Sequence, residues 1–181
     1  MKTCRQLGFF AALTVLSLFL PRAAAWAGEK PTLLTIDAIP TPITNANVGD
    51  WVEYKFASGN KSRITVIRRW EDEEDVYIAI ENVVTNSKGK TVRRGEEEIK
   101  VSETVKTQRN LNPGDWVTNA EIMLHGRTLK TVLVNYVENG KIARQSHFTN
   151  KIPIWGLAQG VTPQAKVKVS MAVVDYGFAE E

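Results

Sequence analysis

Apolar and polar residues alternate with a period of two along most of the chain after Val48, which is the pattern of half-buried β-strands. The segments that show it most clearly are 51–57, 64–70, 76–84, 129–137 and 166–173. Turn sequences rich in Asn, Gly, Pro and Asp separate them, of which Asn112-Pro113-Gly114-Asp115 is the strongest. The pattern predicts an all-β fold, a single-domain antiparallel barrel or a strongly curved sheet, over residues 49–181.

Residues 28–48 lack this alternation and contain Pro31, Pro40 and Pro42. Proline removes a backbone donor and interrupts regular structure. We therefore expect an extended Pro/Thr-rich lead-in to the β domain, with at most a short strand at Leu33–Ile36.

The segment Thr91–Arg109 is ambiguous. Its three consecutive glutamates, residues 96–98, could open a helix, whereas Ile99, Val101 and Val105 are β-branched and fall on one face at period two. We favour a strand. No convincing lid helix is predicted here or elsewhere.

A short motif occurs twice in the chain. Gly49-Asp50-Trp51-Val52 recurs as Gly114-Asp115-Trp116-Val117, and Thr65-Val66-Ile67 then resembles Thr131-Val132-Leu133. The repetition predicts two similar units in which Trp51 and Trp116 open strands after tight turns. Duplication explains it, and so does independent use of a common turn.

The first 27 residues have the pattern of a secretory signal peptide. Lys2 and Arg5 precede an apolar stretch, Leu7–Leu20, and the small-residue pattern Ala25-Trp26-Ala27 follows. The stretch is shorter than the roughly 20 apolar residues that span a bilayer. We expect cleavage after Ala27 and a periplasmic or secreted protein with no transmembrane anchor in the mature form.

Cleavage changes the charge and cysteine content. The whole chain has 23 Lys and Arg against 20 Asp and Glu, and residues 1–27 hold three of the basic residues and no acidic ones. Equal numbers remain, so a nucleic-acid partner is not expected. Cys4, the only cysteine, also lies in the removed segment, so we expect neither a disulfide nor a lipid anchor.

Candidate catalytic chemistry is sparse. His125 and His147 are the only histidines, and Ser146 would point away from its neighbour His147 on a strand. Acidic runs such as Glu71–Asp75 lack the spacing of a calcium loop and are typical of solvated loop tips. We therefore predict no catalytic residue, metal or cofactor, and a protein that is not an enzyme.

The candidate binding residues lie in one irregular apolar segment, Ile152-Pro153-Ile154-Trp155-Gly156-Leu157. Its proline excludes a central strand. The segment either plugs one end of the core or lines the mouth of a cavity. In the second case Ile152, Ile154, Trp155 and Leu157 would contact a ligand.

Two stretches resemble a group of uncharacterised exported bacterial β-rich proteins, a domain of unknown function. They are the opening Val48–Tyr54 and the C-terminal half Gly126–Gly177, which includes the apolar segment above and the ending Val174-Asp175-Tyr176-Gly177. That group is distantly likened to the periplasmic lipoprotein-carrier fold. The resemblance implies an antiparallel half-barrel with an apolar concave face under helices, and no catalytic residue.

These observations lead to three functional hypotheses. The first is an exported non-enzymatic binding protein for a small apolar or lipidic ligand. The second is a structural or interaction protein of the envelope, with a solid core, an envelope protein as partner and no ligand. The third, and least favoured, is a hydrolase with carboxylates from different strands. The oligomeric state is left open.

Overall fold

The computed structural model describes residues 32–179 of the chain. The predicted signal peptide, residues 1–27, and the start of the predicted lead-in lie outside the described residues. The described part contains ten strands, one α-helix (α1, Val101–Gln108) and two short 3₁₀ helices, Ile36–Ala38 and Pro42–Asn45. The strands are β1 Leu33–Leu34, β2 Trp51–Phe56, β3 Lys61–Asp72, β4 Asp75–Thr85, β5 Thr91–Lys100, β6 Trp116–Leu124, β7 Arg127–Glu138, β8 Lys141–Phe148, β9 Leu157–Val161 and β10 Val169–Gly177.

The strands form one antiparallel sheet in the order β1-β6-β7-β8-β9-β10-β2-β3-β4-β5. The all-β prediction is confirmed, but the barrel alternative is wrong, because within residues 32–179 β1 and β5 are free edges that do not pair with each other. Closure fails for local reasons. The β1 strand has only two residues, and β5 carries charged residues along its exposed length and runs directly into α1.

One face of the sheet carries the core. Cross-strand pairs such as Val52 with Ile64 and Ile78 with Ile99 place buried β-branched side chains next to each other. The period-two pattern therefore identified the core face in most of β2, β3 and β4, but on the predicted apolar face Phe56 is 36% exposed and Val169 is 39% exposed. The last strand begins later than predicted, at Val169, and residues 166–168 lie outside it.

Segments without β-structure cover this face. The lead-in contributes Ile39, Ile43 and Ala46, each at most 1% exposed. Helix α1 contributes Val101, which is buried, and Val105, which packs against the same core cluster.

The preference for strand throughout 91–109 is thus half wrong. Residues 91–100 form β5, but 101–108 form α1, and the absence of a lid helix is also wrong. The error has a simple cause, since a spacing of four residues between Val101 and Val105 fits one face of a strand and one face of a helix equally.

The repeated motif has the same local structure in both copies. Trp51 and Trp116 are the first residues of β2 and β6, as predicted, and both are half-buried. Before each, the Asp side chain caps the turn: Asp50 accepts a hydrogen bond from the Asn47 amide at 2.8 Å, and Asp115 accepts one from the Asn112 amide at 2.9 Å.

The match between the return strands is wrong. Trp51 pairs with Thr65, whereas Trp116 pairs with Asn135 and not with Thr131. The second hairpin has longer strands. Its structural equivalent of Thr65 is therefore Asn135, four positions after Thr131, which sequence similarity selects.

The loop 149–156 between β8 and β9 folds into the core. It is closed by a hydrogen bond from the Thr149 amide to the Gly156 carbonyl at 2.7 Å, and Ile152 and Ile154 are fully buried. Gly156 has a φ of +66°, and a Cβ there would lie 2.9 Å from Pro42 Cδ in the lead-in and 2.9 Å from the Thr149 carbonyl oxygen.

Replacing Gly156 with alanine should therefore lower the free energy of unfolding by about 2–4 kcal/mol, the sum of a left-handed backbone and a steric clash. The matched control is Gly140→Ala. Gly140 has a φ of +72°, but a Cβ at this position would have no atom within 4 Å, so we expect a loss of about 1 kcal/mol. Urea denaturation measures both, and equal losses would contradict close packing of the loop on the lead-in.

Candidate functional site

A cleft of about 470 Å³ lies between the β5–α1 junction and the loop that precedes β9. On one side it is bordered by the end of β5 and by α1, and on the other by Phe148, Trp155 and Leu157. Four strands separate β5 from β9 in the sheet order. At about 4.8 Å per step a flat sheet would hold these strands roughly 24 Å apart. Their approach to one cleft therefore requires the strong curvature predicted from sequence.

The four predicted binding residues fall into two groups. Ile152 and Ile154 have no exposed surface and belong to the core, whereas Trp155 and Leu157 are half-buried and border the cleft. The segment is thus a plug at its centre and a cleft wall at its end, so the two alternatives considered for it each describe part of it.

Backbone conformation separates the two groups. Ile154 has a φ of +64° and Gly156 has a φ of +66°, so left-handed residues flank Trp155 on both sides. For a β-branched residue this conformation costs on the order of 1–3 kcal/mol. Complete burial of the Ile154 side chain, worth about 2–3 kcal/mol, offsets that cost and holds the loop in place.

Gln108, the last residue of α1, ties the parts of the cleft together. Its side-chain amide donates to the carbonyl of Pro40 at 2.9 Å and to the carbonyl of Trp155 at 3.2 Å. One side chain therefore connects helix, lead-in and loop. Sequence reasoning missed Gln108 because nothing in the local pattern indicates contacts 68 and 47 residues away.

The lining of the cleft mixes apolar and polar side chains. The apolar ones are Ile99, Phe148, Trp155 and Leu157, and the polar ones, called the rim below, are Glu97, Glu98, Lys100, Glu103, Thr104 and Thr107. Sequence reasoning had placed Ile99 on an apolar face but assigned no role to Phe148 or to the residues of α1.

Two charged residues of the rim are already paired within the chain. Glu98 accepts from Arg68 at 2.6 Å, and Lys100 lies 2.5 Å from Asp75, which also accepts from the Ser102 hydroxyl at 2.8 Å. The hydrogen bond from Lys100 lowers the pKa of Asp75, and the same bond raises the pKa of Lys100. Asp75 thus fastens the junction of β5 and α1. No ion partner of Glu97 or Glu103 is found among the described residues, so the rim keeps negative charge.

His147 lies apart from the cleft, in β8. It is buried, and its Nδ1 lies 3.1 Å from the Thr131 hydroxyl, which also bonds the Ala120 carbonyl at 3.2 Å. Burial lowers the pKa of His147, so the ring is neutral near pH 7. Within 32–179 no group of three or more His, Cys, Asp or Glu residues converges as a metal site.

Comparisons with known proteins add little. No protein-family description and no curated protein matches the chain. A crystal structure from Bacteroides fragilis, described as an inferred exported protein with a YmcC-like fold, has 11% sequence identity and a TM-score of 0.39. The match covers 77% of this chain and 99% of that one. Similarity this low carries no argument, and the resemblance to exported bacterial proteins stays a prediction. In the described part of the chain, no helix is long and apolar enough to cross a membrane.

Replacing Trp155 with alanine should cost only about 1–2 kcal/mol of stability, because the side chain is half-exposed to the cleft. The matched control, Ile152→Ala, removes a fully buried side chain of the same loop and should cost about 2–5 kcal/mol. Denaturant midpoints measure both. A larger loss at Trp155 than at Ile152 would assign Trp155 to the core and remove it from the cleft wall.

Stability should fall as the pH drops below about 6.5, because His147 is harder to protonate in the folded protein than in the unfolded chain. The unfolded state then binds the proton first. This contribution is fully present above pH 6.5 and is lost toward the lower folded pKa. Denaturation of the wild type and of His147→Gln between pH 7.5 and about 5 tests it, since the wild type should lose stability more steeply. Parallel curves would contradict a buried neutral ring.

Proposed function

We propose that the protein is an exported, non-enzymatic binding protein that holds a small apolar or lipidic ligand in the cleft between α1 and Trp155. The observation that carries this proposal is a cleft of about 470 Å³ whose lining includes Phe148, Trp155 and Leu157. Ligand sites commonly have about 300–1,000 Å³ and combine an apolar lining with a few polar groups. The export part rests on the pattern of residues 1–27.

The arrangement of the cleft favours an amphiphile. An apolar chain would lie against Trp155 and Leu157, which are half-buried, and would replace water on their exposed surface. A polar head would reach the rim near Glu97 and Glu103. The lining of the cleft holds three glutamates against one lysine, Lys100, so an anionic head is disfavoured there.

Helix α1 supports the same reading. It covers the apolar face of a curved antiparallel sheet, the arrangement that the sequence resemblance implied, and the helix is fastened by Gln108 at its end and by Ser102 and Asp75 at its start. A ligand could therefore enter beside the helix without the helix leaving the sheet.

Calorimetric titration with three ten-carbon amphiphiles, whose heads are trimethylammonium, maltoside and sulfate, tests the proposal. We expect the cationic and neutral compounds to bind and the sulfate to bind least. Trp155→Ala should weaken binding roughly tenfold, which corresponds to the loss of one aromatic contact. The control is Met123→Ala, which removes a residue that is 68% exposed and outside the cleft. Equal effects of the two substitutions would contradict specific binding at the cleft.

A second function is supported by the centre of the loop, which fills the interior. Ile152 and Ile154 are fully buried, which favours an envelope interaction protein with a solid core. Native mass spectrometry of the protein from its own periplasm separates the two. A co-purifying small amphiphile supports the binding protein. A bare chain that also fails to bind all three amphiphiles supports the interaction protein.

A further inference from the structure

The outer edge of β5 is an unusual open sheet edge. Among residues 32–179 no strand pairs with it on the side away from β4, although the strand is ten residues long. Residues 91–98 are all exposed. Such an edge offers a row of backbone donors and acceptors to another strand.

The charges of β5 are self-complementary about one residue. Two arginines, Arg93 and Arg94, precede Gly95, and three glutamates, Glu96–Glu98, follow it, of which Glu98 is already paired with Arg68. If two copies of β5 pair antiparallel with Gly95 opposite Gly95, then Arg94 lies opposite the partner's Glu96 and Arg93 opposite the partner's Glu97. Arg94 also donates to Glu81 of its own chain at 2.7 and 3.0 Å, so its pair with Glu96 would be shared, whereas Arg93 and Glu97 have no ion pair among the described residues. Each pair occurs twice, so four arginine–glutamate pairs flank one two-fold axis.

The faces of the strand agree with this register. Pairing with β4 puts Ile99 beside Ile78 on the core face, and alternation therefore puts Glu97 and Arg93 on that face and Glu96 and Arg94 on the other. Opposed residues in the proposed pairing share a face. The nearest alternative registers that keep paired residues on the same face move the two-fold axis by one residue. One of them puts Arg94 opposite the partner's Arg94, and the other puts Glu96 opposite the partner's Glu96. Each of these puts like charges on the axis and has at most two pairs of opposite charge, against four in the register centred on Gly95, which is therefore favoured.

Gly95 is otherwise unexplained. A glycine inside a strand weakens it and commonly marks a bulge or the close approach of another backbone. Gly95 pairs with Asn82 without a register shift, its φ does not demand glycine, and a Cβ at this position would have no atom within 4 Å. Nothing among the described residues requires it, whereas a two-fold axis at this residue brings a second backbone beside it.

We propose that β5 is a homodimer interface, in which two copies pair edge to edge about Gly95 and form one continuous antiparallel sheet of twenty strands. The regular part of the pairing runs from Arg93 to Glu97, since the ladder of β5 with β4 has an irregularity between Arg93 and Thr91. It also brings the partner's Arg93 beside Glu97 at the rim of the cleft. The proposed dimer therefore offsets the charge of Glu97, while Glu103 keeps its charge at the rim, and the test of the dimer does not depend on what the cleft binds.

Sedimentation equilibrium of the full-length gene product, as recovered from expression, tests the proposal. The wild type should have twice the mass of the chain. Arg93→Glu and Glu97→Arg each place like charges opposite each other and should raise the dimer dissociation constant roughly tenfold or more. Neither side chain forms an ion pair within the described residues, so the monomer loses none.

Two complementation experiments separate charge from folding. An equimolar mixture of the Arg93→Glu and Glu97→Arg variants has opposite charges at every pair and should form a heterodimer. The double variant Arg93→Glu/Glu97→Arg reverses both charges and should dimerise again. The proposal is overturned by a wild type that stays monomeric at its highest soluble concentration, by single variants that dimerise unchanged, or by variants that fail to complement. Glu121→Arg, an exposed reversal on β6, is the control and should leave the dimer intact.

Discussion

The structure depends on covering the apolar face of an open sheet. A closed barrel encloses its own apolar face, whereas these ten strands end in two free edges and leave that face to be buried by other segments. The lead-in, α1 and the loop 149–156 do this, and each delivers fully or largely buried aliphatic side chains. Curvature follows from the same requirement, because a small number of covering residues can bury the face only if its two sides approach each other.

The candidate site is a consequence of incomplete cover. Helix α1 is short, eight residues, and covers only part of the distance between β5 and β9. The loop fills most of what remains with Ile152 and Ile154, and the gap that neither fills is the cleft beside Trp155. The elements that border this site are held in place, because Gln108 connects the helix to the lead-in and to the loop 149–156.

The same turn structure precedes strands β2 and β6. In both copies of the Gly-Asp-Trp-Val motif, the aspartate carboxylate binds the amide three residues earlier and a glycine adopts a positive φ near 98°. The second carboxylate oxygen accepts from a distant backbone amide at 2.7 Å, that of Ala179 just after β10 in one copy and that of Val137 near the end of β7 in the other. These aspartates therefore order the chain locally and also connect it to a segment far along the sequence. That dual role accounts for the motif's repetition whether or not the units share an origin.

The charges on the edge strand β5 differ from those of most exposed edge strands in their arrangement. Exposed edge strands commonly carry charges that discourage pairing with other chains. On β5 the charges are arranged in opposite blocks around a glycine, which favours one register over its nearest alternatives. Charge placement on an edge can thus act as a selector of partner and register.

Sequence alone determined the fold class, the core face in most of β2, β3 and β4, the two tryptophan-led strand starts and the apolar character of residues 152–157. Each depends on local periodicity or turn chemistry, which is written in neighbouring residues. It could not decide between barrel and open sheet, because closure depends on pairing between strands at the ends of the sheet. It also could not assign 101–108, since the spacing of Val101 and Val105 is common to both elements. The separation of Ile152 and Ile154 from Trp155 and Leu157 was decided only in three dimensions, where left-handed backbone at Ile154 and contacts from Pro42 and Gln108 direct one pair inward and leave the other at the cleft.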